Sequence, residues 1–320
     1  MAKRRLLSRF QRFWFSSRRR DSIKGFTLLE LLVTTAIAGG IVSGLLFIVV
    51  QLMSVDQRES SQSETQREMQ LALNYISTEM RDAVYVYTGT ALAADPGRRN
   101  GQSLTDFLPA SLVTNSFPVI AFWKQHPFPD AVKLACTRST PPAGVACTNG
   151  SSYALVVYSL STNNPDGTWK GKARITRYDL AEFNAAGAAT VGYVNPGVYN
   201  NNFDAWPYGT TETGLVNLQT ARPSGTPAAL VDFVDNAGPA GACPNAGTTG
   251  VSYNISPKVG VRSFYACVND RQTLGDSQDV LIYLRGNVAG RPGSSLASPF
   301  LPTLETRVLS RGVLGRVPTN

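Results

Sequence analysis

The chain offers few side chains for acid–base or nucleophilic catalysis. His126 is the only histidine among 320 residues, and its segment, QHPFP, is typical of a loop. We find no Ser/His/Asp motif and no phosphate-binding glycine loop, and the acidic residues show no spacing that singles out a glycosidase pair. The sequence therefore predicts a protein that is not an enzyme, has no catalytic residue and needs no cofactor.

Aromatic side chains are the next candidates for a binding site. Four of them could line a sugar-binding surface: Trp123, Trp169, Trp206 and Tyr208. Large aromatic side chains also supply much of a protein core, and this is their commoner use. We therefore predict core packing for these residues and leave polysaccharide open as a partner.

Four cysteines remain: Cys136, Cys147, Cys243 and Cys267. An even number in a domain that faces an oxidising compartment favours disulfides. Three pairings exist, and we favour Cys136–Cys147 with Cys243–Cys267 because sequential pairs close short loops. Zinc ligation is the alternative, but the spacings are not C-x-x-C and a single histidine is available, so no metal site is predicted.

The net positive charge of the chain comes from its first 25 residues. The formal net charge is +8, and residues 1–25 hold nine Lys or Arg residues and one acid, which accounts for all of it. The other 295 residues carry 21 basic and 21 acidic side chains. A basic segment of this kind indicates targeting, and without a basic domain surface we predict no nucleic-acid partner.

An apolar segment follows directly. Residues 26–53 are almost uninterrupted apolar, and their 28 residues exceed the roughly 20 that cross a bilayer. Because basic residues precede it, the positive-inside rule leaves residues 1–25 in the cytoplasm and the rest outside. We predict a single-pass protein of the cytoplasmic membrane, divided into a leader (1–25), a membrane helix (26–53), an amphipathic helix (54–87) and an extracytoplasmic β-rich domain (88–320).

Glu30 breaks the apolar pattern. A carboxylate at this depth costs roughly 2.5–3.5 kcal/mol on insertion scales, so it needs an explanation. One explanation is a carboxylate tolerated near the membrane interface. The neighbouring residues, Lys24-Gly25-Phe26-Thr27-Leu28-Leu29-Glu30, support a more specific one.

This segment resembles the processing signal of type IV prepilins. It shares the Gly–Phe junction, the glutamate at the fifth position after the cut, and the apolar run placed after the cut. The resemblance implies that a prepilin peptidase cleaves between Gly25 and Phe26 and methylates the new amino group of Phe26. It also implies that Glu30 neutralises that amino group in a neighbouring subunit during assembly. A secretory signal cut after Ala36-Ile37-Ala38, or an uncleaved signal anchor, is the alternative.

Two later segments indicate which kind of prepilin-like protein the chain resembles. The run NYISTEMRDAVYVYTG and the ending LPTLETRVLSRGVLG are similar to minor pilins and J-type pseudopilins, most of all to hormogonium polysaccharide secretion pseudopilins. This implies a filament subunit that supports polysaccharide secretion or surface motility. Its partners would be other pilins or pseudopilins, an inner-membrane assembly platform and, indirectly, an assembly ATPase. A filament-tip adhesion module and a type II secretion pseudopilin for protein export are the alternatives.

The elements that position these residues follow from periodicity. Apolar residues recur at helical spacing at Met69, Leu73, Ile76, Met80 and Val84. Strands are predicted at 153–161 and 172–180 as one hairpin, at 262–268 and 280–288 as a second pair, and at 304–313. Segments 89–118, 181–250 and 289–302 are predicted as long loops. The expected class is α+β, pilin-like, with a long N-terminal helix packed on an antiparallel sheet.

Overall fold

The structure of the protein, a computed structural model, describes residues 25–93, 99, 101–197, 203–211, 214–238, 241–244, 252–260, 263–269, 277–294 and 300–310. Residues 1–24 of the predicted leader, among them Lys24, therefore lie outside the described residues, and its last residue, Gly25, is the first that the structure describes. The chain divides into two compact units, Met1–Ser54 and Val55–Asn320.

One long helix runs through the first unit and continues into the second. Helix α1 spans Leu28–Arg81 and is 54 residues long. All residues from 25 to 60 are exposed, including the large apolar side chains of the first unit. This helix is long and apolar enough to span a membrane, with a mean hydropathy of 2.3 over its most apolar window.

In the second unit, α1 buries one face. Its buried residues recur at spacings of three and four: Ser61, Thr65, Met69, Ala72, Leu73, Ile76, Ser77 and Met80. The predicted apolar stripe is confirmed from Met69 to Met80. The helix ends at Arg81, however, and not at residue 87 as expected. The run that follows is rich in β-branched and aromatic residues, and it pairs as strand β1, Ala83–Val86, so that Val84 belongs to the sheet.

An antiparallel sheet forms the body of the second unit, which confirms the α+β class. Its order among the described residues is β1-β2-β3-β4-β7-β10-β9-β8, with β11 paired to β10. The further strands of this sheet are β2 (Ser116–Pro127), β3 (Ser151–Ser161), β4 (Ala173–Ala181), β7 (Ala228–Val234), β8 (Tyr253–Ser256), β9 (Phe264–Asn269), β10 (Asp279–Asn287) and β11 (Phe300–Leu309). A separate hairpin consists of β5 (Tyr208–Thr211) and β6 (Gly214–Asn217).

The predicted strand pairs are present. Strands β3 and β4 form the first hairpin, and β9 and β10 form the second pair. The last predicted strand, 304–313, corresponds to β11 beside β10, but β11 begins four residues earlier, at Phe300, inside the segment 289–302 that was predicted as a loop. The prediction of long loops was wrong in part, because the segment 181–250 contains β5, β6 and β7. The segment 89–118 contains helix α2 (Gly89–Leu92), two short 3-10 helices (Leu104–Phe107 and Ala110–Leu112) and the start of β2. Helix α3 (Asp130–Thr137) follows β2.

The sheet separates two cores. Residues of α1 such as Ile76 and Met80 pack on one face against Phe122 and Tyr158. On the other face, the connections around residues 87–112 and 203–208 cover a second core that includes Trp123. Successive residues of a strand point to opposite faces, so the central strands are apolar on both sides. This explains why β3 is buried along most of its length.

Candidate functional site

The peptide bond between Gly25 and Phe26 lies in exposed backbone ahead of α1. The hydroxyl of Thr27 accepts a hydrogen bond from the amide of Glu30 at 3.3 Å, and the carbonyl of Thr27 accepts one from the amide of Leu31 at 3.1 Å. Thr27 therefore caps the helix. Because the helix begins only at Leu28, cleavage between Gly25 and Phe26 requires no unwinding of α1.

Glu30 occupies the third position of the first helical turn. A carboxylate there is favoured by the helix dipole, and Thr27-x-x-Glu30 has the spacing of a capping box, a signal that our sequence interpretation missed. The described contacts include the bond from the Glu30 amide to Thr27 but no return bond from the carboxylate. Glu30 is the only charged residue between positions 26 and 53. Capping therefore explains the position of Glu30 in part and leaves its charge unpaired within the described chain.

The threonine hydroxyls of this segment are satisfied inside the helix. The hydroxyl of Thr34 donates to the carbonyl of Glu30 at 2.9 Å, and that of Thr35 donates to the carbonyl of Leu31 at 2.9 Å. Such back-bonding hides the hydroxyl from an apolar medium. The segment therefore offers an apolar surface on which the carboxylate of Glu30 is the single charge.

Within the second unit, a buried carboxylate ties α1 to three strands. Glu79 accepts hydrogen bonds from Lys124 of β2 at 2.7 Å and from Arg177 of β4 at 2.6 Å, and it also contacts the hydroxyl of Tyr158 of β3. Burial by itself raises the pKa of Glu79, but these hydrogen bonds outweigh it and lower the pKa to about 2. Glu79 is therefore ionised at neutral pH and anchors the end of the helix.

A second set of contacts attaches α1 to the rest of the second unit about three helical turns before Glu79. Arg291, in the loop after β10, pairs with Glu64 at 2.7 Å and with Glu68 at 2.5 Å. Its guanidinium carbon also lies 4.1 Å from the ring centroid of Phe233 on β7. The hydroxyl of Ser61 donates to the carbonyl of Pro292 at 2.8 Å. The helix from Ser61 onward is thus attached to the sheet at two levels.

All four cysteines are paired. Cys136 at the end of α3 bonds to Cys147, and Cys243 bonds to Cys267 on β9, with sequence separations of 11 and 24. These are the sequential pairs favoured from the sequence. Both lie in the second unit, and Cys267 is fully buried in the core beside β10.

Removing the first disulfide should destabilise the second unit. Closing a loop of this length restricts the unfolded chain, so we expect Cys136→Ser with Cys147→Ser to lower the free energy of unfolding by about 3 kcal/mol. Urea unfolding of the full chain in detergent micelles, followed by tryptophan fluorescence, measures the change. Wild-type protein treated with a reductant should lose at least as much stability. Equal stability before and after reduction would contradict the structural role of the bonds.

The remaining predicted site residues are dispersed. His126 lies on β2 opposite Ser152, and not in a loop as predicted, because the strand continues to Pro127. Trp123 and Trp206 are buried in the second core, as predicted. Tyr208 is half-buried beside Phe107. Trp169, however, is 37 % exposed, so the core-packing prediction was wrong for this residue. It belongs to the connection between β3 and β4.

Comparisons with known proteins supply no family for this chain. No protein-family model matches it, and neither a curated protein nor a solved structure matches it. The features of the chain that bear on function are an exposed apolar helix segment, the Gly25–Phe26 junction in front of it, the lone charge of Glu30 within it, and a disulfide-bonded sheet domain.

Proposed function

We propose that the chain is a type IV prepilin-like protein, a minor pilin or pseudopilin whose leader is removed between Gly25 and Phe26. One observation carries the proposal: the apolar part of α1, up to residue 53, begins directly after this junction, is exposed throughout and bears a single charge, on Glu30. Side chains this apolar require a membrane or the apolar side chains of neighbouring helices around them. A subunit that leaves the membrane to enter a helical filament meets both environments.

The proposed location follows from charge and disulfides. The basic residues of the leader place residues 1–25 in the cytoplasm, and α1 spans the inner membrane through its apolar part. The second unit then lies outside the cytoplasm, where disulfides such as Cys136–Cys147 persist. After assembly, the subunit resides in a periplasmic or cell-surface filament. The alternative cut after Ala38 has less support because Ala36-Ile37-Ala38 lies inside α1.

The proposed mechanism of assembly is charge pairing inside the filament. Cleavage creates an ammonium group on Phe26, which is a second charge in an apolar layer. Either charge alone is costly there, whereas the ammonium of one subunit and the carboxylate of Glu30 in the next form a tolerable pair. Such a pair also fixes the axial register of adjacent helices. The peptidase, the other pilins or pseudopilins, the assembly platform and its ATPase are the partners that this mechanism needs.

The narrower assignment, to a filament that supports polysaccharide secretion or surface motility, is supported by the similarity of two segments. These are residues 74–89, where α1 passes into β1, and residues 301–315, which begin within β11. Residues 311–315 lie outside the described part of the chain. We propose this narrower role on the resemblance alone.

Glu30→Gln tests the mechanism because glutamine keeps the capping position and removes only the charge. We expect normal leader removal but incorporation weakened by roughly a hundredfold to several thousandfold relative to the wild type, since an unpaired buried charge costs about 3–5 kcal/mol. Co-expression of differently tagged wild type and variant, followed by their ratio in purified filaments, measures this. Glu59→Gln, an exposed acid later on the same helix, is the matched control and should incorporate normally. Equal incorporation of Glu30→Gln contradicts the charge pair.

A further inference from the structure

A basic pocket lies on the second unit. It opens beside the connection between β3 and β4 and has a volume of about 390 Å³. Its lining is Thr162, Asn164, Trp169, Lys170, Gly171, Lys172, Arg174, Ala289 and Gly290. Three of these side chains are cations and none is an acid. We call this the Trp169 pocket.

Arg174 is the unusual member of the lining. The residue lies on β4 and is only 6 % exposed, yet its guanidinium forms no hydrogen bond or ion pair with another described residue. Its guanidinium carbon lies 4.9 Å from the ring centroid of Trp169. Burial lowers the pKa of Arg174, and the charge of Asp232 opposes this effect. Because this guanidinium lines the pocket and has no hydrogen-bond partner among the described residues, the pocket can accept an anion beside Arg174.

Two exposed lysines add to the positive charge. Lys170 and Lys172 line the same pocket, and their ammonium groups have no ion-pair partner among the described residues. Asp232 is the acid whose charge acts on Arg174, and it also contacts the backbone of this connection. Its Oδ2 accepts the amide hydrogens of Lys170 at 3.2 Å and Gly171 at 3.0 Å, and its Oδ1 has no hydrogen-bond partner among the described residues. Three cations of the lining thus outnumber one adjacent carboxylate. The pocket therefore concentrates positive potential at an opening to solvent.

The walls of the pocket are fixed before any ligand binds. The side-chain amide of Asn164 donates to the carbonyl of Trp169 at 2.9 Å and accepts from its amide at 3.2 Å. A side chain at Gly171 would lie 2.4 Å from the backbone nitrogen of Phe233, and one at Gly290 would lie 2.4 Å from the carbonyl oxygen of Lys170. The chain can close around the pocket only with glycine at these positions. Binding would therefore require little ordering of the pocket.

We propose that the Trp169 pocket binds an acidic saccharide, with the carboxylate of the sugar beside Arg174 and the lysines and its ring against the indole of Trp169. An exposed indole supplies a flat apolar surface next to the cations, which suits a ring that is apolar on its face and charged at its edge. Apart from Trp169 and Ala289, the lining has no apolar side chain, so it suits such a ring better than the apolar side chains of a protein partner. All of these residues lie in the second unit, and the inference is independent of leader processing.

Trigalacturonic acid is a direct probe, and its methyl ester is the matched neutral control. We expect the full chain, with disulfides intact in neutral detergent micelles, to bind the acid at least tenfold more tightly than the ester by isothermal titration calorimetry, because charge-assisted hydrogen bonds are strong. Arg174→Gln should weaken binding by roughly tenfold or more, and Trp169→Leu by roughly fivefold. Lys258→Gln, an exposed lysine on another loop, should change the affinity less than about twofold.

Arg174 is buried, so its variant could fail to fold; Lys172→Gln, at an exposed position, then provides the charge test and should weaken binding by roughly threefold to tenfold. Inorganic sulfate forms a separate arm of the experiment. If sulfate binds as tightly as trigalacturonic acid and Trp169→Leu has no effect, the pocket holds an adventitious ion only and the proposal is overturned. Equal binding of acid and ester, or no binding of the acid, overturns it too.

Discussion

Replacing Gly25 by isoleucine is expected to leave the leader attached, so that a species 25 residues longer than the mature protein accumulates in the membrane. The resemblance to prepilins implies that the peptidase accepts a residue without a side chain before the cut. A branched side chain that does not fit an enzyme subsite slows reaction by roughly tenfold to a hundredfold. Immunoblots of membranes from cells that carry a prepilin peptidase measure the ratio of the two species.

The structure makes this substitution a clean test. Apart from the glycine itself, its chain neighbours and the backbone of its own helix, no atom of the described residues lies within 4 Å of the position that a Cβ at Gly25 would occupy, and the same is true of Gly44 inside α1. Gly44→Ala is therefore a control that changes the same helix without touching the junction, and it should be processed normally. If Gly25→Ile is processed at the wild-type rate, the assignment of the cleavage site is wrong.

Replacing Glu79 by glutamine should cost the second unit about 3–5 kcal/mol of its free energy of unfolding. The change leaves Lys124 and Arg177 partly buried without the carboxylate that both contact, and removing one partner of a buried pair carries a penalty of that size. Urea unfolding of the full chain in micelles measures it. Asp179→Asn is the matched control, because Asp179 also pairs with Arg177 but is 45 % exposed, and it should cost less than about 1 kcal/mol.

The same carboxylate makes stability depend on pH. The folded pKa of Glu79, about 2, lies below its ordinary value of 4.5. Its contribution is therefore fully present above about pH 4.5 and is lost as the pH falls towards 2, in total about 3 kcal/mol. The difference in stability between wild type and Glu79→Gln should shrink over this range. A constant difference down to pH 2 contradicts the lowered pKa.

Local patterns in the sequence were sufficient for the long helix and for several strand pairs. The apolar run and the stripe from Met69 to Met80 predict α1, because both depend on spacing within one element. The hairpin of β3 and β4 is local as well. The end of the helix was misplaced because Val84 continues the helical spacing, whereas the pairing of strand β1 with β2 depends on residues 36 to 41 positions away. Strand β2 went unpredicted, since burial on both faces removes the alternation that marks a strand.

The candidate sites also differ in whether their residues are close together or far apart in the sequence. The Gly25–Glu30 motif is contiguous and was found directly. The Glu79 cluster joins residues up to 98 positions apart, and no spacing rule predicts it. The Trp169 pocket left a usable signal, because Lys170, Lys172 and Arg174 alternate along the chain entering β4. Alternate residues of a strand share a face, so this run with its preceding tryptophan predicts a basic surface next to an aromatic one.

The identity of the first residue of the mature protein decides whether the leader is removed between Gly25 and Phe26. Mass spectrometry of the N-terminal peptide, from protein isolated out of cells with an active prepilin peptidase, identifies that residue and its modification. We expect Phe26 with a methylated amino group. A mature chain that begins at residue 39, after the alternative signal cut, would lack Glu30, and a chain that keeps its leader in the presence of the peptidase would have no ammonium on Phe26. Either result would contradict the filament assignment, because the proposed charge pair needs both groups.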